Sequence, residues 1–550
     1  MNRVDKSGRR ELPVLPFRPS SPGGGVEAPA VRGAGGPRIG MVTLGCDKNT
    51  VDSERILGRL AAAGARVSDG VDGADVVVVN TCGFIEMAKE ESIEAILEAV
   101  RLKEEGRARA VVAMGCLVQR YKDELAAELP DVDLFLGLAE VDRLIPELRA
   151  RGLLETPPPD FVPTMERPLR VLTTTTPHTS FLKISEGCDH ACAFCAIPLM
   201  RGRHRSTPIE LLVREAQELE AAGVVELNIV SQDTTWYGRD WARNGGAPVE
   251  SDGFFVGRAL AAREGKGAGA GQGAFRGARG LALAGDVERD SAVAGAVREA
   301  RGVGAAGRGT GAGVSRHGAL PALLRALLDG TGIPWFRLFY MYPSGIHREL
   351  VELIASERRI LPYLDMPIQH GSDAVLKRMR RPERRETIRE RVRWLREAIP
   401  ELVLRTTVIV GFPGETEEDF EALLDLLEEI RFDRVGAFAY SAEEGTPAAT
   451  MPDQLPPEVR RERLERLFDV QRAITLEKNE AWVGREVDVL VDRAADEDGP
   501  ALGRTAGQAY DVDGVVHLVA GGDVEPGRFV RVRVTDAEQD DLIGEVVGDA

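Results

Sequence analysis

The chain is poor in cysteine, in long apolar runs and in basic residues, and each shortage excludes a class of protein. It has 6 cysteines in 550 residues, none at disulfide-like spacing, which is typical of a reducing cytosol. No apolar run approaches about 18 residues, so no membrane-spanning helix is expected, and the first forty residues hold no apolar stretch of a signal peptide. Acidic residues outnumber basic ones by 88 to 70, and the net charge of −18 disfavours stable DNA binding. We therefore expect a cytoplasmic protein of several domains that is not attached to a membrane.

Three of the cysteines stand close together in the sequence. Residues 186–195 place Cys188, Cys192 and Cys195, here called the barrel trio, at Cys-x3-Cys-x2-Cys spacing. Three thiolates on one loop can hold three irons of a 4Fe–4S cube, which leaves the fourth iron without a protein ligand. Such an open iron can bind a small chelate, and S-adenosylmethionine is the chelate expected. Zinc is the alternative, but a closed zinc site needs four ligands, and His190 would have to be the fourth.

The other three cysteines are far apart in the sequence but occupy equivalent positions. Cys46, Cys82 and Cys116, here called the amino-terminal trio, each follow an apolar, β-rich run and precede a predicted helix; the runs are Ile39–Leu44, Asp75–Asn80 and Ala110–Met114. This pattern predicts a parallel α/β unit over residues 38–150. Loops at the carboxyl ends of parallel strands meet at one crevice, so a second three-thiolate site is expected. The alternative is three buried free cysteines.

The rest of the chain divides by composition and periodicity. Residues 1–37 are predicted to be a disordered extension, and 151–176 a proline-rich linker. Residues 177–478 alternate six strands with helices, which predicts a partial (β/α)6 barrel. A Gly-, Ala- and Arg-rich segment at 242–317 interrupts this barrel. We expect a flexible insert there, with an Arg/Gly nucleic-acid arm as the alternative.

The last segment, residues 481–550, is predicted to be a small antiparallel β-barrel. Alternating apolar and polar residues, separated by turn signals, predict four strands: Glu486–Val491, Gln508–Val512, Val515–Ala520 and Arg528–Thr535. The fold class is therefore α/β, with two α/β units followed by this barrel. Acidic residues outnumber basic ones in the segment.

Further residues are candidates for contact with S-adenosylmethionine. The active residues of barrels lie on the loops that follow the strands, where Gln232, Gln369 and Gly411 are expected. Phe194, next to the third cysteine of the barrel trio, is predicted to pack near the adenine. The alternatives are surface hydrogen bonding for the glutamines, a tight turn for the glycine and core packing for the phenylalanine.

The cysteine motifs and their surroundings resemble the radical S-adenosylmethionine methylthiotransferases. Cys-x3-Cys-x2-Cys with Phe194 before the third cysteine is the signature of the superfamily. The segments that resemble the amino-terminal domain of methylthiotransferases are Thr43–Asn49 with Val51–Glu54, Asn80–Ile85 and Gly115–Leu117. Those that resemble the RimO branch are Lys183–Cys188, Ile197–Pro198 and Arg201–Ser206, and Asp365–Asp373 and Val408–Glu415 fit the same family. The resemblance covers about 38–240 and 318–547.

The resemblance implies a reaction and its cofactors. The RimO branch methylthiolates the β-carbon of an aspartate in ribosomal protein S-twelve. By resemblance, the barrel trio holds a 4Fe–4S cluster that splits S-adenosylmethionine, and a 5′-deoxyadenosyl radical takes hydrogen from the aspartate. A second 4Fe–4S cluster on the amino-terminal trio presents the sulfur, which another S-adenosylmethionine methylates. The implied partners are the ribosomal protein, free or in the small subunit, and an electron donor such as flavodoxin or ferredoxin; the sulfur donor is unknown.

Several polar residues are further candidates on the basis of their own chemistry. Arg201 and Arg203 are predicted to attract the target carboxylate or to pair with local acids. His370 is predicted to bind substrate or to satisfy a loop backbone, and Asp47 and Lys48 to be scaffold. The carboxy-terminal barrel resembles a TRAM domain, whose acidity here suits a basic ribosomal protein better than RNA.

Two alternative functions remain open at this point. A tRNA-adenosine methylthiotransferase of the MiaB type shares all six cysteines and the barrel. The Ser-Glu-Gly-Cys sequence that leads into the barrel trio, the Arg-Gly-x-x-Arg-Ser sequence and the acidic last segment count against it. A non-catalytic metal-binding scaffold is the more remote alternative.

Overall fold

The computed structural model describes residues 36–68, 70–155, 170–173, 176–243, 318–497, 499–520 and 524–550. Nearly all of the predicted extension, most of the predicted linker and nearly all of the predicted insert lie outside these residues. The described residues form two parallel sheets, a closed barrel and a short two-stranded ribbon. The predicted fold class is confirmed. No helix among the described residues is long and apolar enough to cross a membrane.

The first α/β unit is built on a five-stranded parallel sheet. Its strands are β1 Arg38–Thr43, β2 Arg66–Val67, β3 Val76–Thr81, β4 Ala110–Gly115 and β5 Leu134–Gly137. Its helices are α1 Asp47–Ala62, α2 Glu86–Glu104, α3 Cys116–Glu128 and α4 Leu144–Ala150. The order in the sheet is β2-β1-β3-β4-β5. Strands β3 and β4 are buried along their whole length, which explains their uninterrupted valine-rich sequences.

The central unit is an open sheet of six parallel strands. These are β6 Thr179–Lys183, β9 Glu226–Val230, β10 Trp335–Leu338, β11 Ile360–Asp365, β12 Val403–Val410 and β13 Arg434–Ala439. They lie side by side in chain order, from β6 at one edge to β13 at the other, as a partial barrel requires. The ribbon of β7 Ser185–Glu186 and β8 Arg205–Ser206 follows β6, and the barrel trio lies in the segment of chain that connects its two strands.

Most helices of the central unit cover the outer face of its sheet, whereas the short helix Ile197–Arg201 packs against α3 of the first unit. The helices of the central unit are α5 Ile197–Arg201, α6 Ile209–Ala221, α7 Arg239–Arg243, α8 Leu320–Gly330, α9 Arg348–Ser356, α10 Asp373–Arg378, α11 Arg385–Ala398, α12 Glu417–Ile430 and α13 Pro457–Glu480. Apolar side chains of the helices and strands form one continuous core between the two layers.

The last unit is a closed five-stranded barrel. Its strands are β14 Glu486–Arg493, β15 Ala501–Thr505, β16 Val516–Ala520, β17 Phe529–Ala537 and β18 Leu542–Asp549. All pairings are antiparallel except that of β16 with β18, which is parallel. The predicted strand Gln508–Val512 is wrong. It forms a turn, because the Val512 N–H donates to the Ala509 carbonyl and the Ala509 N–H to Asp513.

The closed barrel fills the inner face of the central sheet. Leu490 and Ala509 join an apolar cluster with Phe339 and Tyr363 from that face, and Trp335 meets Phe529 edge to face at 4.9 Å. The interior of the open sheet is thus closed by another domain, and the carboxyl edge of the strands is left for the candidate site.

Candidate active site

The candidate site lies where the six strands of the central sheet end. The barrel trio follows β6, Gln232 follows β9, and Gln369 and Gly411 follow β11 and β12. Because these strands are parallel, their carboxyl ends share one edge. Barrel enzymes carry their reactive groups at this edge.

The loop that carries the barrel trio is fastened at both ends. The Cys188 N–H donates to the Gly202 carbonyl at 3.0 Å, and the Ala193 N–H donates to the Met379 carbonyl at 2.9 Å. Cys188 and Cys192 are buried, and Cys195 is half-buried. Burial raises the pKa of the Cys188 thiol and raises that of Cys195 to about 12. The free thiols of Cys188 and Cys195 are therefore protonated at neutral pH, and a metal that binds them displaces those protons.

His190, the candidate fourth zinc ligand, is engaged elsewhere. Its Nε2 lies 2.7 Å from a carboxylate oxygen of the buried Asp233, and its ring stacks on that of Tyr342 at 4.2 Å. Among the residues that the structure describes, which include all six cysteines, no group of three Cys, His, Asp or Glu converges on a single metal ion. In a 4Fe–4S cube each thiolate bonds to a different iron, so the thiolates stand further apart than the ligands of one ion. Because His190 is held by Asp233 and Tyr342, the barrel trio is left without the fourth ligand that a closed zinc site needs.

The amino-terminal trio converges at the carboxyl edge of the first sheet. Cys46 precedes α1, Cys82 follows β3, and Cys116 begins α3. Two glycines allow the loops to meet: a Cβ at Gly45 would lie 2.9 Å from the Cys82 Sγ, and one at Gly83 would lie 2.7 Å from the Cα of Leu117. Glycine at position 45 thus leaves space beside the Cys82 sulfur that a side chain would fill. Three thiols at one edge of the sheet are a donor set suited to an iron–sulfur cluster.

The thiols of this trio differ in exposure. Cys46 is exposed, whereas Cys82 and Cys116 are buried. Burial raises the pKa of Cys82 to about 11 and that of Cys116 to about 12. The site therefore has two enclosed thiols and one that faces outward.

The two trios lie next to each other. Cys116 packs in one apolar cluster with Ala196 and Met200, which directly follow the barrel trio in the chain. A single buried side chain, Arg201, also spans the junction: its Nη2 donates to Asn49 Oδ1 at 2.6 Å, and that oxygen lies 3.9 Å from the Cys116 Sγ. The loops that carry the two trios therefore face each other across one junction.

The predicted role of Arg201 in attracting a target carboxylate is wrong, although pairing with local acids is confirmed. Its guanidinium is only 2% exposed and donates to Asp52 at 3.0 Å and to Glu186 at 2.8 Å. Because its donors are already engaged with buried acceptors, the side chain joins the two domains instead. Arg203 is exposed.

Buried ion pairs fasten the first unit to the central one on two sides. On the β6 side, Lys183 pairs with Asp52, and Arg55 pairs with Glu215 at 2.7 Å. Beyond β13, the buried Glu443 pairs with Lys89 at 2.8 Å and with Arg120 at 3.2 Å. The first unit therefore reaches across the open mouth of the partial barrel, from its first strand to the loop after its last.

Among the candidate cofactor residues, Gln232 is the one whose side-chain amide is buried and unpaired within the described residues. Its Nε2 and Oε1 are both buried and have no hydrogen-bond partner in the described structure. Unpaired buried amide atoms are costly, so a ligand that pairs them fits this position. Gln369 adopts a left-handed φ of 68°, and its N–H donates to Thr407 O at 2.9 Å.

The other candidates have ordinary structural partners. Phe194 packs with Phe412 and Tyr440 in a small apolar cluster. Gly411 has a φ of 74°, and a Cβ there would lie 2.4 Å from the Arg460 Cγ. Packing against α13 is thus enough to require this glycine.

His370 is fully enclosed. Its Nδ1 accepts from the Ser372 N–H at 3.0 Å, and its Nε2 lies 3.4 Å from a Glu415 oxygen. These contacts favour the loop-satisfying role over substrate binding.

Sequence reasoning missed the aromatic residues after β10. Lys48 lies 3.4 Å from the centre of the Tyr340 ring, and the Tyr340 hydroxyl lies 3.1 Å from a carboxylate oxygen of Asp47. Tyr342, two residues on, lies beside the barrel trio, with its hydroxyl 3.7 Å from the Cys192 Sγ. Tyr340 and Tyr342 could have been identified as candidates because they come directly after a predicted strand, as Gln232 and Gln369 do.

Three family profiles match the chain. Residues 38–137 match the uncharacterized protein family UPF0004, residues 313–427 the radical SAM superfamily and residues 483–547 the TRAM domain. The radical SAM match begins at residue 313, near the end of the predicted insert, and therefore does not include the barrel trio.

Relatives match over nearly the whole chain. Ribosomal protein uS12 methylthiotransferase RimO of Anaeromyxobacter sp. (strain K) is 44% identical over 93% of this chain and 93% of its own length. The protein of the same name from Desulforudis audaxviator is 42% identical over 93% of this chain and 97% of its own. That from Geobacter sulfurreducens is 39% identical over 93% and 98%. One solved structure that resembles the chain is the radical S-adenosylmethionine methyltransferase TsrM of Kitasatospora setae. The two have a TM-score of 0.44 and 12% sequence identity, and the match covers 85% of this chain and 82% of that chain. This similarity is too distant to bear on function.

Proposed function

The chain belongs to the RimO family of ribosomal protein uS12 methylthiotransferases, and from this premise we propose that it transfers a methylthio group to the β-carbon of an aspartate in uS12. It is a radical S-adenosylmethionine transferase, and the family implies a 4Fe–4S cluster and S-adenosylmethionine as cofactors. The observation that carries the residue-level proposal is the apolar cluster shared by Cys116, Ala196 and Met200, in which the loops of the two cysteine trios adjoin.

We propose that the six cysteines hold two 4Fe–4S clusters, one on each trio. When bound, these clusters and S-adenosylmethionine supply the radical that takes a hydrogen atom from the aspartate and the sulfur that replaces it. The chain's own residues fix the geometry: the two loops face each other across the junction that Arg201 spans, so a side chain bound there can reach both.

Residues at the carboxyl edge are proposed to hold S-adenosylmethionine. The unpaired amide of Gln232 is the best supported of them, since it can donate to a carboxylate and accept from an amino group. Gln369, Phe194 and Gly411 are proposed contacts with weaker support, because packing or backbone contacts already engage them. The first unit, which spans the mouth, helps to exclude water from the reacting groups.

The partners follow from the charge of the surface and from the chemistry. Because acidic residues outnumber basic ones in the closed barrel, this domain suits the basic uS12 protein, free or within the small subunit, better than a polyanion. A low-potential donor such as flavodoxin or ferredoxin is proposed to supply electrons, and the cytoplasm is the proposed site of action. The tRNA-modifying alternative is not favoured, because relatives that match 93% of the chain carry the ribosomal-protein name.

The test is anaerobic reconstitution with iron and sulfide, followed by mass spectrometry of a uS12 peptide that contains the target aspartate. The expected result is a methylthio group on the peptide and none on tRNA offered in parallel. Modified tRNA with an unmodified peptide would contradict the proposal. A colourless, zinc-loaded protein that cleaves no S-adenosylmethionine would favour a scaffold.

A further inference from the structure

Among the residues that the structure describes, side-chain hydrogen-bond donors approach the Cys192 thiol but not the other two thiols of the barrel trio. The backbone N–H groups of His190 and Ile197 act to lower the pKa of Cys188 and Cys195, against the larger effect of burial. Cys192 is instead approached by the Tyr342 hydroxyl at 3.7 Å and by the Arg381 Nη1 at 3.9 Å.

The two side-chain donors form one rigid stack. The Arg381 guanidinium lies 3.9 Å from the centre of the Tyr342 ring, and the His190 ring lies parallel to it at 4.2 Å. Two groups so close to one ring centre cannot share a face, so the tyrosine is held between them. Asp233 in turn holds His190 through a 2.7 Å contact.

Arg381 is anchored independently of the cysteine. It is only 2% exposed, its Nη2 donates to the Pro367 carbonyl at 3.1 Å, and its Nε lies 3.0 Å from a Glu383 oxygen. Its remaining amino group is therefore directed at the Cys192 sulfur by contacts that do not involve the cysteine. A positive charge is thus kept in a buried position beside one thiol.

An iron-bound thiolate carries no proton, so the phenol and the guanidinium are the donors in both contacts. Hydrogen bonds and positive charge at a cluster sulfur stabilise the more negative, reduced cluster more than the oxidised one. We propose that Tyr342 and Arg381 are positioning residues that act through Cys192 to raise the reduction potential of the cluster on the barrel trio. This rests on the proposed function, in which that cluster must accept an electron before S-adenosylmethionine is cleaved.

The test is a potentiometric titration followed by electron paramagnetic resonance. The parent protein is the full chain with Cys46, Cys82 and Cys116 replaced by Ala, so that only the cluster on the barrel trio contributes a signal. Tyr342→Phe removes one hydroxyl, and Arg381→Gln removes the charge but leaves an amide. Both are expected to shift the midpoint potential to more negative values, and the arginine variant further, because it loses a full charge.

Tyr363→Phe is the matched control. It also removes a buried hydroxyl, one that has no hydrogen-bond partner in the described structure, and it should leave the potential at the parent value. A Tyr342→Phe protein with full cluster content and an unchanged potential would overturn the inference, even if Arg381→Gln fails to fold. A parent protein that assembles no cluster would overturn both the inference and the proposed function.

Discussion

Cys46 is the exposed member of the amino-terminal trio, whereas Cys82 and Cys116 are enclosed. An exposed thiol at the junction of two domains stands where substrate and sulfur source can approach. Single cysteine changes therefore separate the roles of the two trios, since each trio lies on its own domain.

Cys46→Ala is expected to abolish methylthio transfer while S-adenosylmethionine cleavage continues. The change removes one ligand of the proposed sulfur-presenting cluster and leaves the barrel trio intact. The measurement is the yield of 5′-deoxyadenosine and of modified uS12 peptide from the same reaction. Cys188→Ala is the control and should lose both products. Intact methylthio peptide from Cys46→Ala would disprove this division of labour.

At the scale of elements, the amino-terminal trio depends on how closely two loops approach. Gly83 follows Cys82 and lies against the first turn of α3, where Cys116 sits. A Cβ there would meet backbone rather than a flexible side chain, so the loop or the helix has to move.

Gly83→Ala is therefore expected to lower the iron content of the reconstituted protein by about half, because one of two clusters is lost. Iron and sulfide are assayed per chain, and circular dichroism reports whether the fold is retained. Gly548→Ala is the matched control, since a Cβ there has nothing within 4 Å. An iron content equal to that of the unmodified chain would show that the loops tolerate the displacement.

At the scale of the whole molecule, a buried ion network joins the closed barrel to the central sheet. Arg504 pairs with Glu226 and with Asp492, both at 2.6 Å, and Glu226 also pairs with Arg337 at 2.8 Å. Removing one partner of such a network leaves an uncompensated buried charge.

Arg504→Met is expected to reduce the free energy of unfolding by about 3–5 kcal/mol, because Glu226 loses one of its two arginine partners in a fully buried position. The measurement is urea denaturation followed by circular dichroism. Arg533→Met is the matched control: its pair with Glu486 is half-exposed, so the cost should be about 0–1 kcal/mol. Equal costs for the two variants would show that the network does not hold the domains together.

The same network predicts how stability responds to acid. Burial alone would raise the pKa of Glu226 and of Asp492. The neighbouring Arg504 and Arg337 nevertheless hold the pKa of Glu226 below its usual range. His178 and Arg504 do the same for the pKa of Asp492. A carboxyl with a lowered pKa contributes stability that is complete above its unfolded pKa of about 4 and is lost as pH falls through the folded value. The melting temperature should therefore decrease once the pH is lowered beyond about 4. The Arg504→Met protein should show a smaller decrease in melting temperature over the same pH range. Parallel curves for the two proteins would contradict this.

The two cysteine trios and the class of each unit could be predicted from the amino-acid sequence alone. The cysteine spacing and the succession of apolar strand, cysteine and helix are both local along the chain. Both can therefore be recognised in the sequence. The turn at 508–512 was mistaken for a strand because short alternating segments resemble strands until hydrogen bonding to Asp513 is known.

The surroundings of the cysteines, in contrast, could not be predicted before the packing of the chain was known. Tyr342 and Arg381 are 150 and 189 residues from Cys192 in the chain, and Arg201 meets Asn49 across 152 residues. Such contacts depend on how whole strands, loops and domains pack against one another. Contacts between side chains that are distant in sequence produce no periodic pattern in the sequence. The donors to Cys192 and the role of Arg201 in joining the two domains could therefore be identified only from the folded structure.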